Sequence, residues 1–143
     1  MSQGDFYITV SNTAFKKEIP TNTSTSFRYL LKNVLDLRKG YSVAVASQVL
    51  YNPISVSNTI YHVTSNLVEP RLCERTCLAI LRTGKLTDKI ETLQFIPCVP
   101  GQFETIDIKL ERIAGAEIGA DQTCQITLLF RENKDCDCNI DCC

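Results

Sequence analysis

Four of the eight cysteines stand at the C-terminal end of the sequence, in "DCDCNIDCC": Cys136, Cys138, Cys142 and Cys143. Thiols at this density can join chains through disulfides, hold zinc or copper(I) as thiolates, or accept an acyl group. Adjacent Cys142 and Cys143 would close a strained ring if bonded to each other, so each is expected to find its partner elsewhere. Bridges between subunits are the preferred reading. A metal–thiolate cluster, acylation and a plain flexible tail stay open. A further pair, Cys73 and Cys77 in "CERTC", has a three-residue spacer and could share a zinc ion with the tail. The long stretch between them and Cys136, with no supporting motif, makes that the weaker option.

Catalytic chemistry finds little to work with. His62 is the single histidine. Metal-dependent jelly-roll enzymes need two or three imidazoles converging on one site, so His62 reads as an ordinary strand residue. A Cys–His pair would have to join His62 to Cys73, Cys77, Cys98 or Cys124, all in or beside apolar runs where a thiol behaves as a small hydrophobe. No Gly-x-Ser-x-Gly elbow occurs. Asp107 and Glu111 fall on the polar side of a strand, and "GAEIGAD" precedes no helix and reads as a hairpin loop. The chain is expected not to be an enzyme and to need no cofactor or metal. The "NTS" at Asn22 has the form of a glycosylation sequon, and reads as a polar loop unless the chain is secreted.

The elements that would position these residues are strands. Isoleucine, valine and threonine outweigh alanine, and β-branched side chains favour a pleated surface over a helix. "FYITV" sets Phe6, Ile8 and Val10 against Tyr7 and Thr9. "SFRYLLK" groups Phe27, Tyr29 and Leu31. "YSVAVASQVLY" runs Tyr41, Val43 and Val45, then Val49 and Tyr51. "TIYHVTSNLV", "TCLAILRT" and "ETLQFIP" follow. "FETIDIKLER" sets Ile106, Ile108 and Leu110 against Asp107, Lys109 and Glu111. "CQITLLFRE" sets Ile126, Leu128 and Phe130 against Thr127, Leu129 and Arg131. Such alternation predicts antiparallel sheets with one packed and one wet face. Only "LLKNVLDLRKG" carries loosely helical spacing, enough for a short helical turn after a strand.

Eight strands with turn-rich spacers predict an all-β, eight-stranded antiparallel sandwich, with a jelly roll favoured over an immunoglobulin-like fold that would want a core tryptophan. The chain has no tryptophan. At 143 residues it makes one domain, expected over 1–132, with 133–143 as a flexible Cys-rich tail. A net charge of −1 gives no electrostatic footprint for nucleic acid. No 18-residue apolar run predicts a membrane span. The opening "MSQGDFYITV" lacks the pattern of a secretory signal, which sets an expectation of synthesis in a reducing cytosol.

The ordered series "FYITVSNT", "IPTNTSTSFRYLL", "LDLRKGYSVAVASQVLYNP", "TSNLVEPRL", "LAILRT", "QFIPCVPGQFETIDIKL" and "TCQITLLFR" resembles the penton-type minor capsid proteins of Polintons (Mavericks), adintoviruses and related eukaryotic DNA viruses. The similarity runs from Phe6 to Arg131. It implies a single jelly roll that forms a homopentamer at the fivefold vertices of an icosahedral capsid, beside a double jelly-roll major capsid protein, and therefore a place in the virion. It brings no catalytic residue with it. A cytosolic interaction module, or a carbohydrate-binding jelly roll, is the competing reading. The latter would usually show exposed aromatics near loop acids or amides, and the loops here hold mainly Ser, Thr, Asn and Gly.

Overall fold

Each run of alternating residues buries one face only if another sheet covers it, and the chain solves this by folding into two layers. The computed structural model describes residues 5–51, 60–68, 79–82, 87–89, 93–114 and 123–133. They form β1 (Phe6–Ser11), β2 (Ser26–Asp36), β3 (Tyr41–Tyr51), β4 (Ile60–Ser65), β5 (Ala79–Arg82), β6 (Thr87–Lys89), β7 (Ile96–Pro97), β8 (Gln102–Ala114) and β9 (Thr123–Glu132), with no helix among the described residues. One sheet has the order β1-β9-β3-β6, with β7 on the side of β3; the other has the order β2-β8-β4-β5. Every strand pairing is antiparallel. The result is an all-β antiparallel sandwich.

Its core is the meeting of the two alternations. Val10, Val43, Ile126, Leu128 and Phe130 from the first sheet face Phe27, Tyr61, Val63, Ile106 and Ile108 from the second, all buried. Burying a side chain of this size stabilises the fold by roughly 1.5–3 kcal/mol. Phe6 stacks on Phe130 at 4.9 Å and meets Tyr41 edge-on at 5.8 Å, closing the sandwich where β1 begins and β9 ends. The turn between β2 and β3 needs Gly40, whose φ of 91° is strained for any residue with a Cβ.

Four details depart from the sequence expectation. First, "LLKNVLDLRKG" forms no helical turn. Its first part continues β2, and the register against β8 shifts between Leu30 and Leu35, which mimics helical spacing. Second, the register of β3 on β9 shifts between Val45 and Ser47. One extra residue swaps the two faces, so Gln48 turns into the core and Val49 does not follow Val45. Third, the described residues form nine strands, seven of them with four residues or more, where the sequence predicts eight. "ETLQFIP" contributes only the two residues Ile96–Pro97, where proline lacks the donor a ladder needs, and the sixth strand is the polar Thr87–Lys89. Fourth, Leu129 and Ala44 sit opposite each other on the outer face of the first sheet and are both buried. That face is not uniformly wet. The expected domain limit at 132 falls at the end of β9, and residues 134–143 of the tail lie outside the described residues.

Candidate functional site

The second sheet carries a cleft of about 690 Å³ on its outer face, lined by polar and apolar groups in similar measure and walled on one side by Ile19 and Thr21 of the segment leading into β2. Its floor consists of two cross-strand rows. In one, Arg28 of β2 lies opposite Asp107 of β8. In the next, Ser26 of β2 and Thr64 of β4 flank Lys109 of β8 on either side. Alternation along three neighbouring strands brings these side chains to one face, since residues two apart point the same way.

Arg28 grips Asp107 with two parallel bonds, Nε to Oδ1 at 2.7 Å and Nη2 to Oδ2 at 3.1 Å. Asp107 raises the pKa of Arg28 through that bond and through its charge. With both partners substantially exposed, such a pair contributes little to stability. Lys109 is exposed, and its ammonium has no acidic partner among the described residues. The floor thus carries two cations and one anion.

Two asparagines fix the backbone beneath this array. Asn22 donates from Nδ2 to the Arg28 carbonyl and accepts the Arg28 N–H at Oδ1, both at 3.0 Å. Its side-chain amide thereby supplies both bonds that a neighbouring strand would give to the free edge of β2. Asn66, one residue past β4, does the same for β8: Nδ2 donates to the Thr105 carbonyl at 3.1 Å, and Oδ1 accepts the Asp107 N–H at 2.9 Å. A third asparagine, Asn12, follows β1 and accepts the Cys124 N–H at 2.8 Å. Lys16 holds the loop before β2 from within, donating to the carbonyls of Pro20 and Asn22. Phe15 packs edge-on against Tyr29 at 5.0 Å.

These residues were not singled out by spacing. The sequon residue Asn22 is 3% exposed, with one amide hydrogen donated to the Arg28 carbonyl, so its burial leaves a glycan no room in the folded chain. A signal for the other two was present. "VSN" closes β1 and "TSN" closes β4, each placing an asparagine directly after an alternating run, where its short amide can replace the missing ladder.

The residues picked out by type are scattered. Cys98 and Cys124 are buried, and burial pushes both thiols up to about 12, far from the thiolate needed for attack or metal binding. His62 pairs in register with Ile80 and with Glu111, between the core-facing Tyr61 and Val63. Among the described residues no three His, Cys, Asp or Glu side chains come together as a metal site. Cys73, Cys77, Cys136, Cys138, Cys142 and Cys143 lie outside the described residues, as does the "GAEIGAD" loop. Among the described residues no helix is long and apolar enough to cross a membrane. No protein-family model matches the chain, and searches of curated proteins and of solved structures returned no significant match.

Proposed function

We propose that this chain is a structural capsid protein of penton type, a single jelly roll that forms pentamers at icosahedral fivefold vertices beside a double jelly-roll major capsid protein. The observation that carries the reading is the strand order. With the two-residue β7 set aside, β1 pairs β9, β2 pairs β8, β3 pairs β6 and β4 pairs β5. These are the four rungs of one long antiparallel ribbon. The remaining pairings, β3 with β9 and β4 with β8, are those made when such a ribbon rolls up into two sheets. Wrapping of this kind is what a jelly roll's double Greek key would give, and it supports that reading. The ordered sequence resemblance from Phe6 to Arg131 adds the vertex assignment.

The geometry suits ring building. The sheet edges lie on two sides of the sandwich, β1 beside β2 on one and β5 and β6 on the other. A ring needs such unlike patches, because one surface of each copy must meet a different surface of the next until the rotation closes. A net charge of −1 per chain keeps five crowded copies from repelling one another. The role is structural, without catalysis or cofactor, and the location is the virion. Cys136, Cys138, Cys142 and Cys143 would reinforce the assembly by bridging subunits after exposure to oxidising surroundings.

Native mass spectrometry of the purified chain, with and without reductant, tests this. The expected result is a pentamer in both conditions, more resistant to collisional dissociation when oxidised. A pentamer confined to the oxidised sample would make the tail the main fastener. Monomer in both conditions would remove the vertex reading and favour a non-capsid interaction module.

A further inference from the structure

We infer that the cleft on the outer face of the second sheet is a binding site for an acidic saccharide, a polyhydroxylated ring bearing a carboxylate or a sulfate. The inference rests on this cleft alone and is independent of the vertex reading. The volume of about 690 Å³ lies within the range of small-ligand sites. The polar groups it offers are side chains. Backbone groups that would template an extended peptide are already taken, since Asn22 occupies the N–H and C=O of Arg28, and Asn66 occupies the N–H of Asp107 and the C=O of Thr105. An added strand therefore finds no ladder here.

What remains free suits vicinal hydroxyls. The Asp107 carboxylate retains acceptor capacity beyond its two bonds to Arg28, because each oxygen has two lone pairs. The hydroxyls of Ser26 and Thr64 stand on either side of Lys109; Thr64 donates to the Lys109 carbonyl at 3.4 Å and keeps its lone pairs as acceptors. Lys109 supplies the charge selection, since its ammonium meets no described acid and the floor carries one cation in excess. The absence of an exposed aromatic platform among the residues lining the cleft makes charge the larger part of binding. Affinity should therefore fall as salt rises. The two asparagine bridges hold the backbones of Arg28 and Asp107 in place before the ligand arrives, which limits the ordering cost of binding.

Backbone amide NMR of the full chain at low ionic strength provides the test, with sialyllactose, a heparin-derived tetrasaccharide, lactose and sodium sulfate as probes. At least one acidic sugar should shift the signals of Arg28, Asn66, Asp107 and Lys109. Lactose should bind about tenfold more weakly, the effect of losing one charged contact. The sialylated and sulfated probes separate a carboxylate ligand from a sulfate ligand. Lys109→Ala should weaken the acidic sugar about tenfold, while Lys32→Ala, on exposed β2 outside the cleft, should leave it unchanged. Asp107→Asn removes an acceptor and also the floor's one anion, so it should weaken lactose while costing the acidic sugar less. If that change disturbs the fold, Thr64→Val is the hydroxyl test in its place. Absence of cleft shifts with both acidic sugars at about 10 mM would overturn the inference, since so weak a site lies beyond the millimolar end of specific binding. So would equal shifts from sulfate alone, or equal losses from Lys32→Ala and Lys109→Ala.

Discussion

At the strand ends and edges, Asn12 and Asn22 are buried with their amides bonded to backbone, whereas inside β3 the amide of Gln48 is just as buried and meets no hydrogen-bond partner among the described residues. The two regions differ in what the backbone needs. Where a ladder stops, N–H and C=O groups are left open, and a short amide side chain closes them. In the middle of β3 the ladder to β9 is nearly continuous, so nothing asks for an amide. Gln48 points inward because the shift between Val45 and Ser47 reverses the faces that follow it. Buried polarity is thus an asset at one place and a by-product of strand curvature at the other.

The largest effect is expected from removing an edge clamp. Asn22→Ala deletes both bonds to Arg28 and leaves its N–H and C=O uncovered, for a loss of about 2–3 kcal/mol by urea unfolding. Asn66→Ala removes an equivalent pair from an exposed position where water can substitute, so its loss should stay below about 1 kcal/mol. Equal losses at the two sites would show that burial is not what gives the clamp its value.

Gln48→Met is expected to act in the opposite direction. It removes two unpartnered polar atoms at nearly constant volume and should stabilise the chain by about 1 kcal/mol. A destabilised Gln48→Met chain would break the contrast, because it would mean the amide serves a structural purpose after all.

The smallest effect belongs to an exposed counterpart of the asparagines. Asp36, at the end of β2, accepts from both the side chain and the backbone N–H of Arg38. These bonds hold its pKa at about 2, below the ordinary carboxylate value of 3.8. Its contribution to stability is therefore present above the ordinary value and disappears as pH falls toward 2. Carboxyl-carbon NMR should show Asp36 titrating near pH 2 in the folded chain, and Arg38→Ala should return it to the usual range. An unchanged midpoint in the variant would assign the shift to something other than Arg38.

The parts of the fold that sequence reveals are those where the ladder is regular. In β1, β8 and most of β9 the period of two survives into the structure, and Ile106, Ile108, Leu110, Ile126, Leu128 and Phe130 are core residues as their spacing predicts. Periodicity misleads at β2 and β3, because inserted residues, three between Leu30 and Leu35 and one between Val45 and Ser47, exchange faces and nothing local announces them. Strand β6 was illegible for a simpler reason, since three polar residues carry no period at all. In the cleft, each residue type is visible in the chain, but the pairing is not. Arg28 and Asp107 are separated by 79 positions, and only the register of β2 on β8 brings them together. Cys98 and Cys124 were legible as small hydrophobes from the apolar runs around them, and both are buried in the core.

The place of β9 between β1 and β3 bears on how the chain is made. It is the last described strand to leave the ribosome, and it is also the central plank of its sheet. Until Thr123–Glu132 has emerged, β1 and β3 have no common neighbour, and each presents an unpaired edge to other nascent chains. Folding must then bring together residues more than a hundred positions apart, as in Phe6 with Phe130, which makes it slow. A cell producing this protein in quantity would depend on chaperones that shield those edges during synthesis, and a stop codon just before β9 would yield aggregates instead of a smaller domain.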